Sequence, residues 1–265
     1  MAAQHNPHAV RSAIWREEAE ADNPFAARAA YCRGYDVYGE MLGRASWADM
    51  LFLLFMPEAP TPAQAGLLES LALALANPGP RDPAVHAAMS GGVCGSSAAS
   101  SLMAALAVGA GQLAGAREVF NAVSGWSRCG TNLQAWRDWF AGPFELPGSV
   151  WPEPEHAPGF DPRGITTATP VKQTLTCLAA YAAGPYLPWL QQHRLQMETA
   201  AGRPLSLTGV AAAALADLGF GPEQSEMLYL LLRLPGAAAH ALEQRALGYK
   251  KFPFGVVELE HGNGE

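Results

Sequence analysis

The chain has 265 residues, 49% of them apolar and only 15% charged, with a formal net charge of −7. That length is enough for one large core or a domain with a subdomain. The acidic balance, with no basic cluster to offset it, excludes a nucleic-acid binder, and the sparse surface charge points to a face covered by a second subunit.

Residues 1–24 are polar and are expected to trail along the surface. They show no apolar run behind a basic start, so no signal peptide is read and the cytoplasm is the expected compartment. Cys32, Cys94, Cys129 and Cys177 are far apart with no CxxC pair, which suggests reduced, mostly buried thiols and no metal cage. Apart from a short hairpin near Arg33–Tyr38, no run alternates with period 2 for long enough to be a strand, and the chain reads as all-α.

Ser46, with Asp49 in the capping-box position, opens an apolar helix that Pro57 and Pro60 end. Thr61-Pro62 starts the next helix, which runs to Asn77, and another begins after Asp82-Pro83. From Ala87 to Ala116 there is no charged residue, and Ser97 caps a helix over Ser97–Gly111 that is apolar on most faces. Such a helix has to be buried, and its small side chains suit a helix–helix junction or a subunit interface. It is too rich in Gly and Ser to read as a membrane span.

Gly142–Pro170 is dense in proline and glycine and too long for an ordinary connector; loops of this length are often functional. Further helices are expected over Val171–Ala183, Tyr186–Ala201, Thr208–Leu218, Pro222–Leu234 and Ala237–Leu247. Trp126, Trp136, Trp139 and Trp151 are expected to pack that loop and the part of the chain around it.

Four segments in order resemble the citrate synthase family. They are CRGYDVYGEMLGRASWADMLFLLFMPEAPTPAQ, AVGAGQLAGAREVF, PGFDPRG, and LSLTGVAAAALADLGF followed by RLPGAAAHALEQ, and together they span roughly residues 25–254. The length is closer to the short citryl-CoA lyase-like branch. The resemblance implies a helical citrate synthase-like fold with a large domain and a smaller subdomain, roughly 120–206. It also implies a homodimer acting on an acyl-CoA and a small carboxylate, with no bound cofactor beyond the CoA thioester substrate and no nucleic-acid or membrane partner.

The same resemblance places Ala114 where the family has its first catalytic histidine. Asp161 directly follows Phe160 where a Gly-His pair is expected, and Thr208 stands at the aspartate position. Neither alanine nor an unactivated hydroxyl can replace such groups near neutral pH. Asp161 and Thr208 are then the replacement catalytic candidates, Asp161 alternatively being a cap to the following turn. Arg163 and Arg233 fall on the family's carboxylate-binding arginines, a role guanidinium geometry suits, although each could equally pair with a structural acid. His156 in the long loop, His240 in AAAHALEQ and Lys251 near the C-terminus rank lower: a loop histidine able to swing in, a core histidine that fixes packing, and a basic residue reaching the other subunit. No metal-ligand spacing and no phosphate-cradling loop is present. Two readings stand open: a carbon–carbon lyase or acyltransferase with non-standard groups, or a catalytically silent relative that binds a carboxylate, an acyl-CoA or a partner protein.

Overall fold

The computed structural model describes residues 10–142, 156–253 and 255. The described part of the N-terminal segment, from residue 10, is not a loose tail. Trp15–Ala19 (β1) pairs antiparallel with Ala27–Cys32 (β2), which returns through Arg33-Gly34 onto Tyr35–Asp36 (β3). Both turn residues have positive φ, +50° and +94°, the geometry that matches a two-residue hairpin to strand twist. The expected hairpin near Arg33–Tyr38 is therefore present, and β1 is the correction. Its side chains are mostly exposed, held by Arg16–Glu18 and Arg28–Glu18 ion pairs and by Arg16 over the Tyr31 ring. A strand that buries neither face leaves no apolar alternation to read.

Ten α-helices follow among the described residues. Trp47–Phe55 (α1) and Pro62–Leu75 (α2) start on the capping boxes Ser46/Asp49 and Thr61/Gln64. Pro83–Val93 (α3) is capped by Asp82, and Ala98–Gly109 (α4) by Ser97. Ala116–Cys129 (α5) and Leu133–Ala141 (α6) precede the Gly142–Pro170 stretch, of which residues 143–155 lie outside the described residues. Thr169–Ala179 (α7), Tyr186–Ala201 (α8), Leu207–Asp217 (α9) and Pro222–Leu247 (α10) complete the bundle.

The last of these is a second correction, since one helix of 26 residues runs through Pro235 where two were expected. The proline leaves a gap in the helical ladder. The Gly236 N–H instead donates to Ala76 O at the end of α2, at 2.7 Å. A Cβ at 236 would stand 2.5 Å from that oxygen, so only glycine lets α2 come this close. His240 fastens the junction through Asn77 Oδ1 and Glu243.

The core is centred on α9, where Val210 to Leu215 are wholly buried among α2, α5, α7, α8 and α10. A smaller cluster joins α3, α4 and α10 through Val85, Ala88, Met89, Ala105, Ala237 and Ala241. The charge-free helix α4 thus lies at the edge of the chain. It buries Ser101, Ala105 and Gly109 along one side, and leaves Met103 and Val108 exposed. Apolar on most faces was expected to mean buried on most faces, and within one chain it does not. Of the cysteines, Cys32 and Cys129 are buried while Cys94 and Cys177 are exposed, so only half match the expected burial. Trp126, Trp136, Trp139 and Phe140 pack against one another edge-on or tilted, and Phe140 meets Phe160 edge-on, tying Phe160 to α5 and α6. Trp151 lies outside the described residues. No helix among the described residues is long and apolar enough to cross a membrane.

Candidate functional site

Three connections meet where α5 and α9 begin. The first is the α4–α5 turn, in which Ala114 has φ +54°, a backbone region that Ala rarely enters. The second is the Ala157–Phe160 turn, pressed so closely onto α9 that a Cβ on Gly209 would lie 2.3 Å from Gly159 O. The third is Ser206, whose side chain caps α9 and whose N–H donates to Gly159 O at 3.0 Å.

All three converge on the carboxylate of Glu118, which is only 3% exposed. Ala114 N–H donates to its Oε2 at 2.5 Å; Gly159 N–H and the Thr208 hydroxyl donate to Oε1 at 2.9 Å and 2.6 Å. Ser206 Oγ lies 2.5 Å from Thr208 Oγ1 and extends the chain of hydroxyls. Glu118 belongs to the first turn of α5, where the helix dipole favours a negative charge. His156 closes the cluster. Its side chain is 1% exposed, its Nε2 lies 3.9 Å from Glu118 Oε2, and neither ring nitrogen has a hydrogen-bond partner among the described residues.

A second layer holds Ala114 from behind. Arg233 Nη1 donates to Ala114 O at 3.2 Å, and Tyr229 Oη lies 3.5 Å from the same oxygen. Arg233 also pairs with Asp82 and covers the Tyr229 ring at 4.8 Å. Burial pushes the Tyr229 hydroxyl up to about 12, with the nearby Arg233 charge opposing that rise. Asp82 in turn caps α3 through Ala84 and Val85.

Of the residues singled out in the sequence, Thr208 and His156 lie in the cluster, and Arg233 is joined to it through Ala114. Asp161 stands two residues beyond Gly159, where its N–H donates to Pro204 O and its carboxylate takes the Arg163 N–H at 2.9 Å. Arg163 is exposed at the rim. Gly164 and Ile165 continue that rim into an open groove of about 600 Å³, shared with Leu195, Glu198 and Arg203. His240 is at the α2–α10 junction, and Lys251 is exposed beyond the end of α10, next to Phe252, which packs on His86. Neither joins the cluster.

Glu118 was not anticipated. An acid two residues inside a helix start reads as an ordinary complement to the dipole. The available signal was that it is the first acid after the long uncharged run, in the same turn as the substituted position 114.

No family model matches the chain, and no curated protein does. Solved structures do. The citryl-CoA lyase of Hydrogenobacter thermophilus superposes with a TM-score of 0.72 at 17% identity, covering 97% of this chain and 95% of that one. An ATP citrate lyase from Methanothrix soehngenii, in complex with citrate and coenzyme A, gives 0.71 at 16% identity over 98% of this chain and 43% of its own. The D541A mutant of the Methanosaeta concilii ATP citrate lyase, in complex with (3S)-citryl-CoA, gives 0.69 at 16% identity with the same coverage. The chain therefore has the helical fold of citryl-CoA lyase along nearly its whole length.

Proposed function

We propose that this chain acts on an acyl-CoA and a small carboxylate, breaking or making the carbon–carbon bond between them, as a citryl-CoA lyase-like homodimer in the cytoplasm. The observation that carries this reading is the convergence of Ala114, Gly159 and Thr208 on one buried carboxylate, Glu118. The three connections that the family resemblance assigns to catalysis remain assembled around an ionisable group, although their own side chains have changed. The likeness in fold to a citryl-CoA lyase supports the substrate class. Thr208 acts inside the cluster, Asp161 is the competing replacement base beside it, and Arg163 offers an exposed guanidinium for a substrate carboxylate. Exposed Met103 and Val108 on α4, with Met227 and Leu231 on α10, support a two-fold mate, which light scattering would detect as a doubled mass.

A panel of CoA esters that includes citryl-CoA, followed by chromatography of the CoA species, reads both carbon–carbon cleavage and thiol release. Cleavage of at least one β-hydroxyacyl ester is expected, and Asp161→Asn decides whether that carboxylate takes part.

One observation favours the silent-relative reading. Arg233 is already neutralised by Asp82 and cannot give its full fork to a ligand without leaving that partner. Calorimetry separates the two readings: a silent relative binds a CoA ester or carboxylate and turns nothing over.

A further inference from the structure

We infer that the imidazole and carboxylate missing at positions 114 and 208 have been re-supplied from other elements. His156 is the catalytic base and Glu118 the positioning residue that balances its charge. The inference rests on the reading that this site handles a CoA thioester, and it gives roles to two groups that do not stand at the family's motif positions.

Glu118 Oε1 is one hydrogen bond, 2.6 Å, from the side chain at 208, and Oε2 is one hydrogen bond, 2.5 Å, from the backbone at 114. Its carboxylate thus fills the space between the two substituted positions. Two backbone N–H groups and a hydroxyl fix its orientation. His156 faces it at 3.9 Å, too far for a hydrogen bond, with both ring nitrogens buried and unpartnered. A buried polar group without a partner costs free energy, so an imidazole left this way is open to a ligand that completes it. Among the described residues, Glu118 is the acid near enough to carry the countercharge when the ring takes up a proton. The other charged and titratable groups around this corner, among the described residues, are Arg233 and Tyr229 on α10, Asp82 at the head of α3, and Asp161 on the same segment as His156. Arg233 and Asp82 are spent on each other.

The step closes without any co-reactant. An imidazole nitrogen of His156 takes the hydroxyl proton of a β-hydroxyacyl thioester, and the O–H electron pair becomes the new C=O bond. The bond between the β-carbon and the α-carbon breaks, and its electron pair passes to the α-carbon as a thioester enolate. The imidazolium, held opposite the Glu118 carboxylate, then returns the proton to that carbon. One acyl-CoA and one carbonyl compound leave, nothing is oxidised or reduced, and the site regains its starting protonation. Exclusion of water from the cluster strengthens the Glu118–imidazolium attraction during the step.

The test compares wild type, His156→Gln, Glu118→Gln and Asp161→Asn over the CoA-ester panel, with circular dichroism to confirm folding and calorimetry to measure ester binding. His156→Gln should lose about 100-fold or more in kcat while ester affinity changes by no more than a few-fold. Glu118→Gln keeps the side-chain shape but removes the charge. It should lower kcat and move the acid limb of the kcat/KM profile to lower pH, a displacement that a merely structural role would not produce. In the wild type, the ¹⁵N signals of the His156 ring should shift when acetyl-CoA is added, a readout that needs neither turnover nor a folded variant. Full activity in His156→Gln, or ring signals that ignore bound acetyl-CoA, overturns the inference while the functional reading stands, and loss in Asp161→Asn alone transfers the role to Asp161. No binding of any ester by wild type overturns the functional reading and this pair with it, and binding without turnover overturns the pair in favour of the silent relative.

Discussion

Helices α4 and α9 are two stretches of nearly the same material with opposite fates. AASSLMAALAVG and LTGVAAAALAD are both alanine-rich, and both begin on a serine cap. α9 is the axis of the core, with six consecutive residues fully buried, whereas α4 buries a single stripe and turns Met103 and Val108 outward. A helix without charge reveals that something must cover it. It does not reveal whether the cover comes from the same chain. The 49% apolar and 15% charged composition fits this division, because the outer apolar face of α4 is surface in one chain.

The sharpest way to break the comparison is to put a charge into each helix. Ala213→Asp places a carboxylate where nothing is exposed and no partner waits, a change that costs several kcal/mol and should abolish folding. Met103→Asp, on the outer face of α4, should leave the circular dichroism spectrum of a folded helical chain while lowering the mass seen by light scattering. If Met103→Asp unfolds the protein, α4 is a core helix after all; if the mass does not change, its outer face is not the dimer surface.

Glycines sharpen the same contrast at a smaller scale. A Cβ on Gly209 in α9 would meet Gly159 O at 2.3 Å, against backbone that cannot retreat without lifting the 157–160 turn. Gly209→Ala should therefore cost about 1–3 kcal/mol and disturb the Glu118 cluster through Gly159. At Gly109 in α4 the nearest atoms are 3.4 Å and 3.5 Å from such a Cβ, an ordinary contact. Gly109→Ala should gain roughly 0.5–1 kcal/mol, the helix preference of Ala over Gly. Chemical denaturation of the two variants side by side reads both signs.

The far end of α9 supplies a pH test. Asp217 accepts the N–H groups of Tyr186 and Leu187, capping α8 from outside that helix. Burial pushes its carboxyl above the ordinary value of 3.8, with those two donors pulling the other way. The folded protein holds this proton more tightly than the unfolded chain does. The contribution is fully present below the unfolded value and is lost as pH rises through the higher folded one. Asp217→Asn removes the titration and keeps one acceptor. The difference in unfolding free energy between wild type and variant should therefore slope upward in the variant's favour from about pH 3.8, and a difference that is flat with pH contradicts the assignment.

These contrasts also mark what was legible in the sequence. Caps were legible because they act over three residues: Ser46 with Asp49 and Ser97 fall where local spacing puts them, and helices begin after Thr61 and Asp82 as the following prolines imply. The continuity of α10 was not, because the partner that satisfies Gly236 is Ala76, far away in the chain. Nor was β1, a strand with both faces in water. At the site, Thr208 and Arg233 could be located by resemblance to known motifs. Glu118 could not, because its meaning depends on Gly159 and Thr208 arriving from 41 and 90 residues away. Local chemistry is written locally, and a cluster assembled by three connections is visible only once they meet.

An effect as small as that of Gly109→Ala is expected where α4 hands over to the site. Ala114 holds φ +54° although its Cβ disfavours that region by about 1–2 kcal/mol. Its N–H is taken by Glu118 and its carbonyl by Arg233, so the peptide groups on both sides are fixed from outside the turn. Ala114→Gly keeps both bonds and removes the steric penalty, but it also gives the unfolded chain more freedom, which offsets roughly half of the gain. A net stabilisation of about 0.5–1 kcal/mol is expected, visible as a rise of a few degrees in the melting temperature. Pairing it with Glu118→Gln shows what holds the strained backbone. If Glu118 does, the gain from glycine should shrink once its charge is gone, because Ala114 can then relax without help. If the gain is the same in both backgrounds, the turn is set by α4 and α5 alone and the carboxylate merely fills it.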